Sequence, residues 1–246
     1  MHKDPVSLRI LLLQARHASD DARFDEHRSF ARQAGLPEEQ VVPFDLLADT
    51  PTIETIRQYD ALMVGGSGDF YVSKGNLPGY EDVLHVLREV VDVGHPTFAS
   101  CFGFQLLVAA LEGQISYDEK NMEVGTYELS LTEAGQEDEL FSRLPEQFLA
   151  QLGHKDRVEV VPPSVLNLAT SPNSPCQSIR IPGKPIWATQ FHPELSADEN
   201  LRRFNQYIDG YASLIGPAEL EEKLAGFKNS PETDALIPGF LELVFS

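Results

Sequence analysis

The chain has 246 residues, 42% of them hydrophobic, which is enough for one large α/β domain or two small ones. Its 38 acidic and 19 basic residues give a formal net charge of −19. This charge argues against nucleic acid or an anionic membrane surface as a partner, because both need clusters of lysine and arginine. The 17 glycines and 17 prolines are near average, which excludes collagen-like and low-complexity classes.

The N-terminal stretch and the cysteine content indicate the compartment. No apolar run approaches the roughly 18 residues that a membrane span requires. The first 21 residues contain a short apolar run but no small-residue cleavage site, so we interpret the run as a strand rather than a signal peptide. The two cysteines, Cys101 and Cys176, are too few for a disulfide framework. We therefore expect a cytoplasmic protein with reduced thiols, in which Cys176 is structural.

Strand and helix patterns alternate through the first half of the chain. The predicted order is strand 8–13, helix 19–35, strand 41–47, helix 52–59, strand 61–64, helix 80–93, strand 96–100 and helix 102–111. This alternation predicts an α/β fold with an open, mostly parallel sheet and helices on both faces.

The pattern changes after residue 113. Short strand patterns separated by Pro, Gly and Asn turns predict a small antiparallel extension, with strands 124–131, 148–152, 165–170, 177–181 and 186–190. Helices are predicted over 197–211 and 217–227, and a short one within 232–244 that Pro238-Gly239 should interrupt. We expect residues 1–215 to form one domain and 216–246 to form a helical extension packed on it.

The stretch around Cys101 combines a strand end, small residues and the start of an apolar helix. Its pattern, Ala99-Ser-Cys101-Phe-Gly103, suits a tight strand-to-helix turn whose central residue is strained. Open parallel sheets bind ligands at the carboxyl ends of their strands. A helix N-terminus also favours a thiolate, and the N–H of Phe102 would point toward an oxyanion above the sulfur. On this stretch alone, a nucleophile and a buried structural cysteine remain equally open.

A second candidate site follows the strand pattern of residues 186–190. His192 comes two residues after that pattern, and Glu194 follows it by two more. A thiol nucleophile needs a base, and the base needs a partner that fixes its tautomer. His192 suits the first role and Glu194 the second, if this strand lies beside strand 96–100. Taken alone, the His-Pro-Glu sequence is more typical of an exposed turn, but this pair and the cysteine turn both fall at predicted strand ends.

Together the two motifs resemble those of the class I, or triad-type, glutamine amidotransferases. The first stands here as Ala99-Ser-Cys101-Phe-Gly103-Phe-Gln105 and the second as Gln190-Phe-His192-Pro-Glu194, and the likeness extends from about residue 45 to 210. Two positions depart from the family pattern: Ala99 replaces the usual glycine, and Phe104 stands where relatives often carry His, Met or Asn. The resemblance implies a flavodoxin-like fold.

The resemblance also implies a mechanism. Cys101 would attack the side-chain amide of glutamine, His192 would carry the thiol proton to the leaving ammonia, and Glu194 would orient His192. The sequence Gly65-Gly66-Ser67-Gly68 looks like the family's oxyanion loop, so the N–H groups of Gly66 and Phe102 would hold the oxyanion. The loop is equally compatible with a plain strand-to-helix turn.

The expected substrate contacts also come from the resemblance. Segments 121–127, 131–135 and 153–158 are similar to the glutaminase half of GMP synthetase and to its free-standing relatives. The implied substrate-binding residues are Gln105, Gly103, Tyr127, His154 and Asp156. A helix-surface position for Gln105 and a polar turn at His154 and Asp156 stay open as alternatives.

No motif indicates a cofactor, a metal or a nucleotide. The chain has no P-loop, no dinucleotide fingerprint and no Ser-Gly-Gly-x-Asp-Ser loop. We therefore expect a glutaminase that gives ammonia to a separate synthetase subunit. Two alternatives remain: a γ-glutamyl peptidase acting on a small conjugate, and a non-catalytic binding module.

Overall fold

The computed structural model describes residues 7–212 and 214–246. This part of the chain holds eleven strands and nine helices, joined by short 3₁₀ turns. The strands are β1 (Ile10–Gln14), β2 (Val41–Asp45), β3 (Ala61–Val64), β4 (Thr97–Ser100), β5 (Gln114–Tyr117), β6 (Glu123–Leu131), β7 (Gln147–His154), β8 (Asp156–Val160), β9 (Leu166–Thr170), β10 (Ser178–Arg180) and β11 (Ile186–Thr189). The helices are α1 (Ala22–Ala34), α2 (Ile53–Ile56), α3 (Tyr80–Val93), α4 (Phe102–Ala110), α5 (Glu133–Glu137), α6 (Ala197–Gln206), α7 (Ile208–Ala212), α8 (Pro217–Ala225) and α9 (Leu236–Phe245).

Nine of the strands form one mixed sheet in the order β2-β1-β3-β4-β11-β10-β9-β6-β7. The five strands from β2 to β11 are parallel, and the other four continue the same sheet as antiparallel strands. The predicted α/β class with a largely parallel sheet is confirmed. Strand β11 was expected in the antiparallel extension, but it pairs parallel with β4 inside the main sheet.

The two faces of the sheet are covered by different helices. Leu11 and Leu13 of β1 belong to a core cluster with apolar residues of α3 and α4. Ile10 and Leu12, which alternate with them, belong to a second cluster with residues of α1 and α9. All five residues of β1 are buried, as a parallel strand between two helical layers requires.

The C-terminal helices differ from the predicted pattern in two places. The expected helix over 197–211 is divided at Tyr207 into α6 and α7. The interruption expected at Pro238-Gly239 is wrong, because α9 runs through both residues. Pro238 is the third residue of α9 and lies in the first turn, where its missing N–H breaks no helical hydrogen bond.

The last helix is part of the main core, since Leu236, Ile237 and Phe240 are buried in the second cluster. The division into a domain of residues 1–215 and an extension of residues 216–246 stays a prediction. Residues 1–6 of the predicted domain lie outside the described part of the chain. No helix among the described residues is both long enough and apolar enough to cross a bilayer.

Candidate active site

Cys101 occupies the turn between β4 and α4 in a strained backbone conformation. Its φ of 51° and ψ of −104° lie in a region that side-chain-bearing residues rarely adopt. The turn is held by a hydrogen bond from the Cys101 N–H to the Thr189 carbonyl, with an N–O distance of 2.7 Å. The cysteine side chain is therefore fixed at the carboxyl end of β4 and at the N-terminus of α4.

Gly103 lets this turn pack directly on β3. Its N–H donates to the Gly65 carbonyl at 3.1 Å. A Cβ atom at this position would lie 2.6 Å from the Val64 carbonyl oxygen and 2.7 Å from Val64 Cβ. Because the obstacle is backbone, it cannot move aside as a flexible side chain would.

We expect Gly103→Ala to lower the free energy of unfolding by about 1–3 kcal/mol or more, because the methyl overpacks β3. The shift of α4 should also reduce turnover. Thermal or urea unfolding with a steady-state assay would measure both. Gly216→Ala is the matched control, since its Cβ position is open and its φ is −74°, and it should change stability by less than about 0.5 kcal/mol. Equal stability of the two variants would contradict the expectation.

His192 and Glu194 lie beside Cys101 because β11 is the parallel neighbour of β4. The carboxyl ends of the two strands therefore meet at one edge. His192 Nδ1 and Glu194 Oε1 are 2.6 Å apart, and both side chains are buried. A carboxylate accepts only, so Nδ1 carries the proton in this bond and Nε2 remains for the thiol.

The charges around the imidazole favour its protonated form. Burial alone would lower the pKa of His192, but the charges of Glu194 and Cys101 and hydrogen bonds with both residues raise it to about 9. Burial likewise opposes ionisation of Glu194, yet His192 and then Arg203 hold its pKa below the usual value. Arg203 NH1 is 3.9 Å from Glu194 Oε1.

A cavity of about 340 Å³ opens over these groups. Of the residues that the sequence singled out, it is lined by Cys101, Phe102, Gln105, His154, Asp156 and His192. Tyr127 lies elsewhere, in a groove between β6 and α8, where its hydroxyl accepts from Lys223 Nζ at 3.2 Å. Gly103 faces β3 instead of the cavity. Contacts of Tyr127 and Gly103 with a substrate therefore have no geometric support.

Gln105 is held in one orientation at the cavity wall. Its Nε2 donates to the Asp156 carbonyl and to Gln190 Oε1, both at 3.0 Å. Its Oε1 has no hydrogen-bond donor within the described part of the chain, although the side chain is only 3% exposed. The orientation therefore presents an acceptor to whatever occupies the cavity.

His154 and Asp156 belong to buried networks next to Gln105. His154 Nδ1 lies 2.9 Å from the Asp156 carbonyl oxygen, and Nε2 lies 3.0 Å from Glu123 Oε2. The Asp156 carboxylate accepts from the backbone N–H and the hydroxyl of Ser73. Burial raises the pKa of Asp156 above its usual value, despite these hydrogen bonds. Both side chains thus have protein partners and position the cavity wall.

The loop of residues 65–68 rests on a buried ion pair that sequence analysis missed. Glu26 Oε1 accepts the Gly66 N–H at 2.9 Å and lies 2.9 Å from Arg16 NH2. Its other oxygen accepts from Gln14 Nε2 at 3.0 Å. Glu26 is 0% exposed and Arg16 2%. No local pattern marks these residues, because Glu26 and Gly66 are 40 positions apart.

Arg16 also connects the loop to the C-terminal helices. Its NH1 donates to the Tyr207 hydroxyl at 2.9 Å, and that hydroxyl donates to Asp20 Oδ2 at 2.6 Å. The Tyr207 ring lies against Gly68, where a Cβ atom would be 2.4 Å from the ring. Tyr207 therefore covers one end of the loop at the cavity.

Cys176 lies away from this cavity and is fully buried. Burial raises the pKa of its thiol to about 12, which makes it a poor nucleophile near neutral pH. Among the described residues, no group of three or more His, Cys, Asp or Glu side chains is arranged to hold a metal ion.

Comparison with known proteins gives a consistent family. A family model described as glutamine amidotransferase class-I matches residues 36–207. The GMP synthase [glutamine-hydrolyzing] of Thermosipho melanesiensis is 26% identical over 208 residues, which cover 81% of this chain and 37% of that protein. The corresponding protein of Lactobacillus delbrueckii subsp. bulgaricus is 30% identical over 164 residues, covering 65% and 30%. The matches thus span only about a third of these relatives.

Solved structures share the fold at low sequence identity. A glutamine amidotransferase from Thermotoga maritima has a TM-score of 0.73 at 19% identity, covering 97% of this chain and 98% of that one. A glutamine amidotransferase from Methylobacillus flagellatus has a TM-score of 0.68 at 19% identity, covering 98% of this chain and 93% of that one.

Proposed function

The chain belongs to the class I glutamine amidotransferase family, and on this premise we propose that it hydrolyses a γ-glutamyl amide through a thioester on Cys101. The observation that carries the proposal is the meeting of two structures at one sheet edge. These are the strained turn that holds Cys101 and the His192–Glu194 pair at the end of the adjacent strand. Both border the same cavity.

The steps follow from the charges. The Cys101 thiolate attacks the amide carbonyl carbon, and the carbonyl oxygen becomes an oxyanion that backbone N–H groups hold. The His192 imidazolium gives its proton to the leaving nitrogen, and ammonia departs as the thioester forms. His192 then takes a proton from water, whose oxygen attacks the thioester and releases the acid and the thiolate. Glu194 keeps the imidazole in the required tautomer throughout.

Gln105 supports a γ-glutamyl substrate in particular. Its free Oε1 is an acceptor on a buried wall, which suits the α-ammonium group of the glutamyl moiety. The surrounding hydrogen bonds fix the amide, so little rotamer entropy is lost when the substrate binds.

Two reactions are candidates, and they differ in the nitrogen compound that leaves the substrate. The GMP synthase relatives are about three times as long as the matched region, which favours a synthetase activity beyond this region as the acceptor of ammonia. The cavity favours a second candidate, a γ-glutamyl peptidase whose leaving amine is larger than ammonia. Six aromatic residues line it, namely Phe70, Tyr71, Phe102, Phe204, Tyr207 and Tyr211. Such rings would pack well against an apolar amine.

One experiment tests the proposal. The protein is incubated with a diazoketone analogue of glutamine and the adduct is located by mass spectrometry. We expect a single adduct on Cys101 and none on Cys176. Ammonia release from glutamine and glutamate release from γ-glutamyl dipeptides then rank the two candidates by kcat/KM. A protein that is folded but neither labelled nor active on any of these substrates would sink the proposal and favour a binding module.

The raised pKa of His192 predicts how stability depends on pH. The imidazole keeps its proton in the folded protein up to about pH 9, whereas the ordinary value is 6.5. A pKa raised by folding stabilises the protein fully below pH 6.5, and this contribution is lost as the pH rises through about 9.

We expect the same ionisation to set the alkaline limb of the pH profile of kcat/KM, because the leaving nitrogen needs the His192 proton. Glu194→Gln removes the neighbouring negative charge, so the limb should move to lower pH while part of the activity remains. Glu199→Gln is the control, since Glu199 binds Ser196 and Arg32 and should leave the limb in place. A limb that stays fixed in Glu194→Gln would show that His192 is not the titrating group.

A further inference from the structure

Lys155 is a buried cation in the wall of the cavity over Cys101. It lines the cavity, and only 9% of its surface is exposed. The Cys101 sulfur lies 4.0 Å from the Gly153 carbonyl oxygen, and Lys155 follows Gly153 by two residues. Two residues of extended chain span at most about 7 Å. The base of the Lys155 side chain is therefore close to the nucleophile.

The Lys155 ammonium group contacts helix α7. Its Nζ donates to the Gly210 carbonyl at 3.0 Å and lies 4.4 Å from the centre of the Tyr211 ring. Both of these residues belong to α7 and line the cavity. An ammonium group has three N–H donors, and the carbonyl takes one of them. The ring attracts the positive charge but leaves it without a counter-ion.

No protein carboxylate neutralises this cation. Within the part of the chain that the structure describes, Lys155 forms no ion pair with an Asp or Glu side chain. Burial lowers the pKa of Lys155, the charge of Glu119 opposes this shift, and the charge of Lys74 adds to it. A buried charge without a partner costs stability, and groups of this kind cluster at functional sites. The surroundings of Lys155 therefore suit an anion that the substrate brings.

The acidic residues that line the cavity do not take this role. The Asp156 carboxylate accepts from the backbone N–H and the hydroxyl of Ser73. Asp69 and Asp209 are exposed, so water weakens their interaction with the ammonium group. None of the three is paired with Lys155, and its charge is thus available to a carboxylate from outside the chain.

A γ-glutamyl amino acid carries two carboxylates, one on the glutamyl group and one on the amine that leaves. Gln105, the acceptor that suits the glutamyl α-ammonium group, contacts Asp156 and Gln190. The Lys155 ammonium group instead contacts α7. Tyr211, beside it, is one of the aromatic residues that would pack against a large leaving amine. This placement favours the carboxylate of the leaving amine.

We propose that the Lys155 ammonium group binds the carboxylate of the leaving amine and makes the protein selective for γ-glutamyl amino acids and peptides over neutral γ-glutamyl amides. The inference rests on the proposed hydrolysis at Cys101, and it favours the second of the two candidate reactions. Glutamine, whose leaving group is ammonia, gains nothing from this contact.

Two substrates that differ only in this carboxylate test the proposal. γ-Glutamylglycine carries it, and γ-glutamylglycinamide replaces it by an uncharged amide of nearly the same shape. We expect the wild-type kcat/KM to be about 10–100-fold higher for the acid, because a hydrogen bond between charged groups provides a difference of this size. Lys155→Met nearly keeps the length of the side chain and should bring this ratio to about one. Lys155→Arg keeps a cation and should retain part of the preference.

The ratio separates recognition from a damaged fold, because a loss common to both substrates cancels. Lys74→Met is the matched control. It removes the same charge from an exposed lysine that lies 4.1 Å from the centre of the Tyr71 ring and outside the cavity wall. This variant should keep the wild-type ratio.

Three results would overturn the proposal. One is a wild-type ratio of about one, and another is a wild-type protein that hydrolyses glutamine but neither conjugate. The third is an equal loss for glutamine and both conjugates in Lys155→Met, which would assign the ammonium group to the glutamyl α-carboxylate. A wild-type protein inactive toward all three substrates would instead refute the hydrolysis at Cys101 itself.

Discussion

Replacing Cys101 by alanine is expected to abolish turnover and to leave the free energy of unfolding nearly unchanged. Without the sulfur no thioester forms, so kcat should fall on the order of 10⁴-fold or more. Alanine retains a Cβ atom and therefore the same strain at φ 51°. The thiol is 5% exposed, and its weak contact with the Gly153 carbonyl, at 4.0 Å, contributes little.

Glycine at the same position provides the matched comparison. A residue with a Cβ atom in such a conformation costs about 1–3 kcal/mol, and glycine relieves this cost while losing about 0.5–1 kcal/mol of backbone entropy. Cys101→Gly should be inactive and about 1 kcal/mol more stable than Cys101→Ala in urea denaturation. Activity near wild type in either variant would exclude Cys101 as the nucleophile. A glycine variant less stable than the alanine variant would show that the turn is not strained.

Replacing Glu26 by alanine is expected to give the largest loss of stability. The substitution leaves the Arg16 guanidinium buried, and among the described residues only Tyr207 and, at 3.4 Å, Asp20 remain as its side-chain polar partners. It also removes the acceptor of the Gly66 N–H. Breaking a buried ion pair in this way costs about 3–5 kcal/mol. Urea denaturation monitored by circular dichroism would measure the change.

Two further variants separate charge from shape at this position. Glu26→Gln keeps an oxygen for Gly66 but removes the charge, so its loss should be smaller than that of Glu26→Ala. The double variant Arg16→Met with Glu26→Leu removes both charges and should recover part of the stability. A loss below about 1 kcal/mol in Glu26→Ala would mean that the ion pair does not hold the loop.

The sequence predicted the elements that carry the candidate site because their signals are local. Strand β4, helix α4 and strand β11 were all expected within a few residues of their bounds. Buried strands and an apolar helix have patterns that short windows contain. The small residues around Cys101 likewise indicated its turn, and Gly103 shows why one of them cannot be larger.

The missed features depend on residues that are far apart in the chain. The Arg16–Glu26–Gly66 network joins β1, α1 and the loop after β3, and no periodicity relates these positions. The local sequence pattern of strand β11 is the same whether the strand lies in the parallel or in the antiparallel part of the sheet. Its place in the parallel part is seen only from its pairing with β4. Tyr127 fell outside the cavity because it lies three residues along β6 from Val124, which lines the cavity, and borders the groove against α8 instead; resemblance alone could not reveal this.

The pairing of β4 with β11 fixes more than the direction of the two strands. Ser100, the residue directly before Cys101, lies opposite Thr189 in the ladder. Thr189 comes three residues before His192. Each residue along a strand advances the backbone by about 3.3 Å. Adding or deleting one residue in either strand would therefore separate thiol and ring by roughly the length of a hydrogen bond. The alignment of two backbones thus sets the spacing of the reacting atoms, and side-chain flexibility has little part in it.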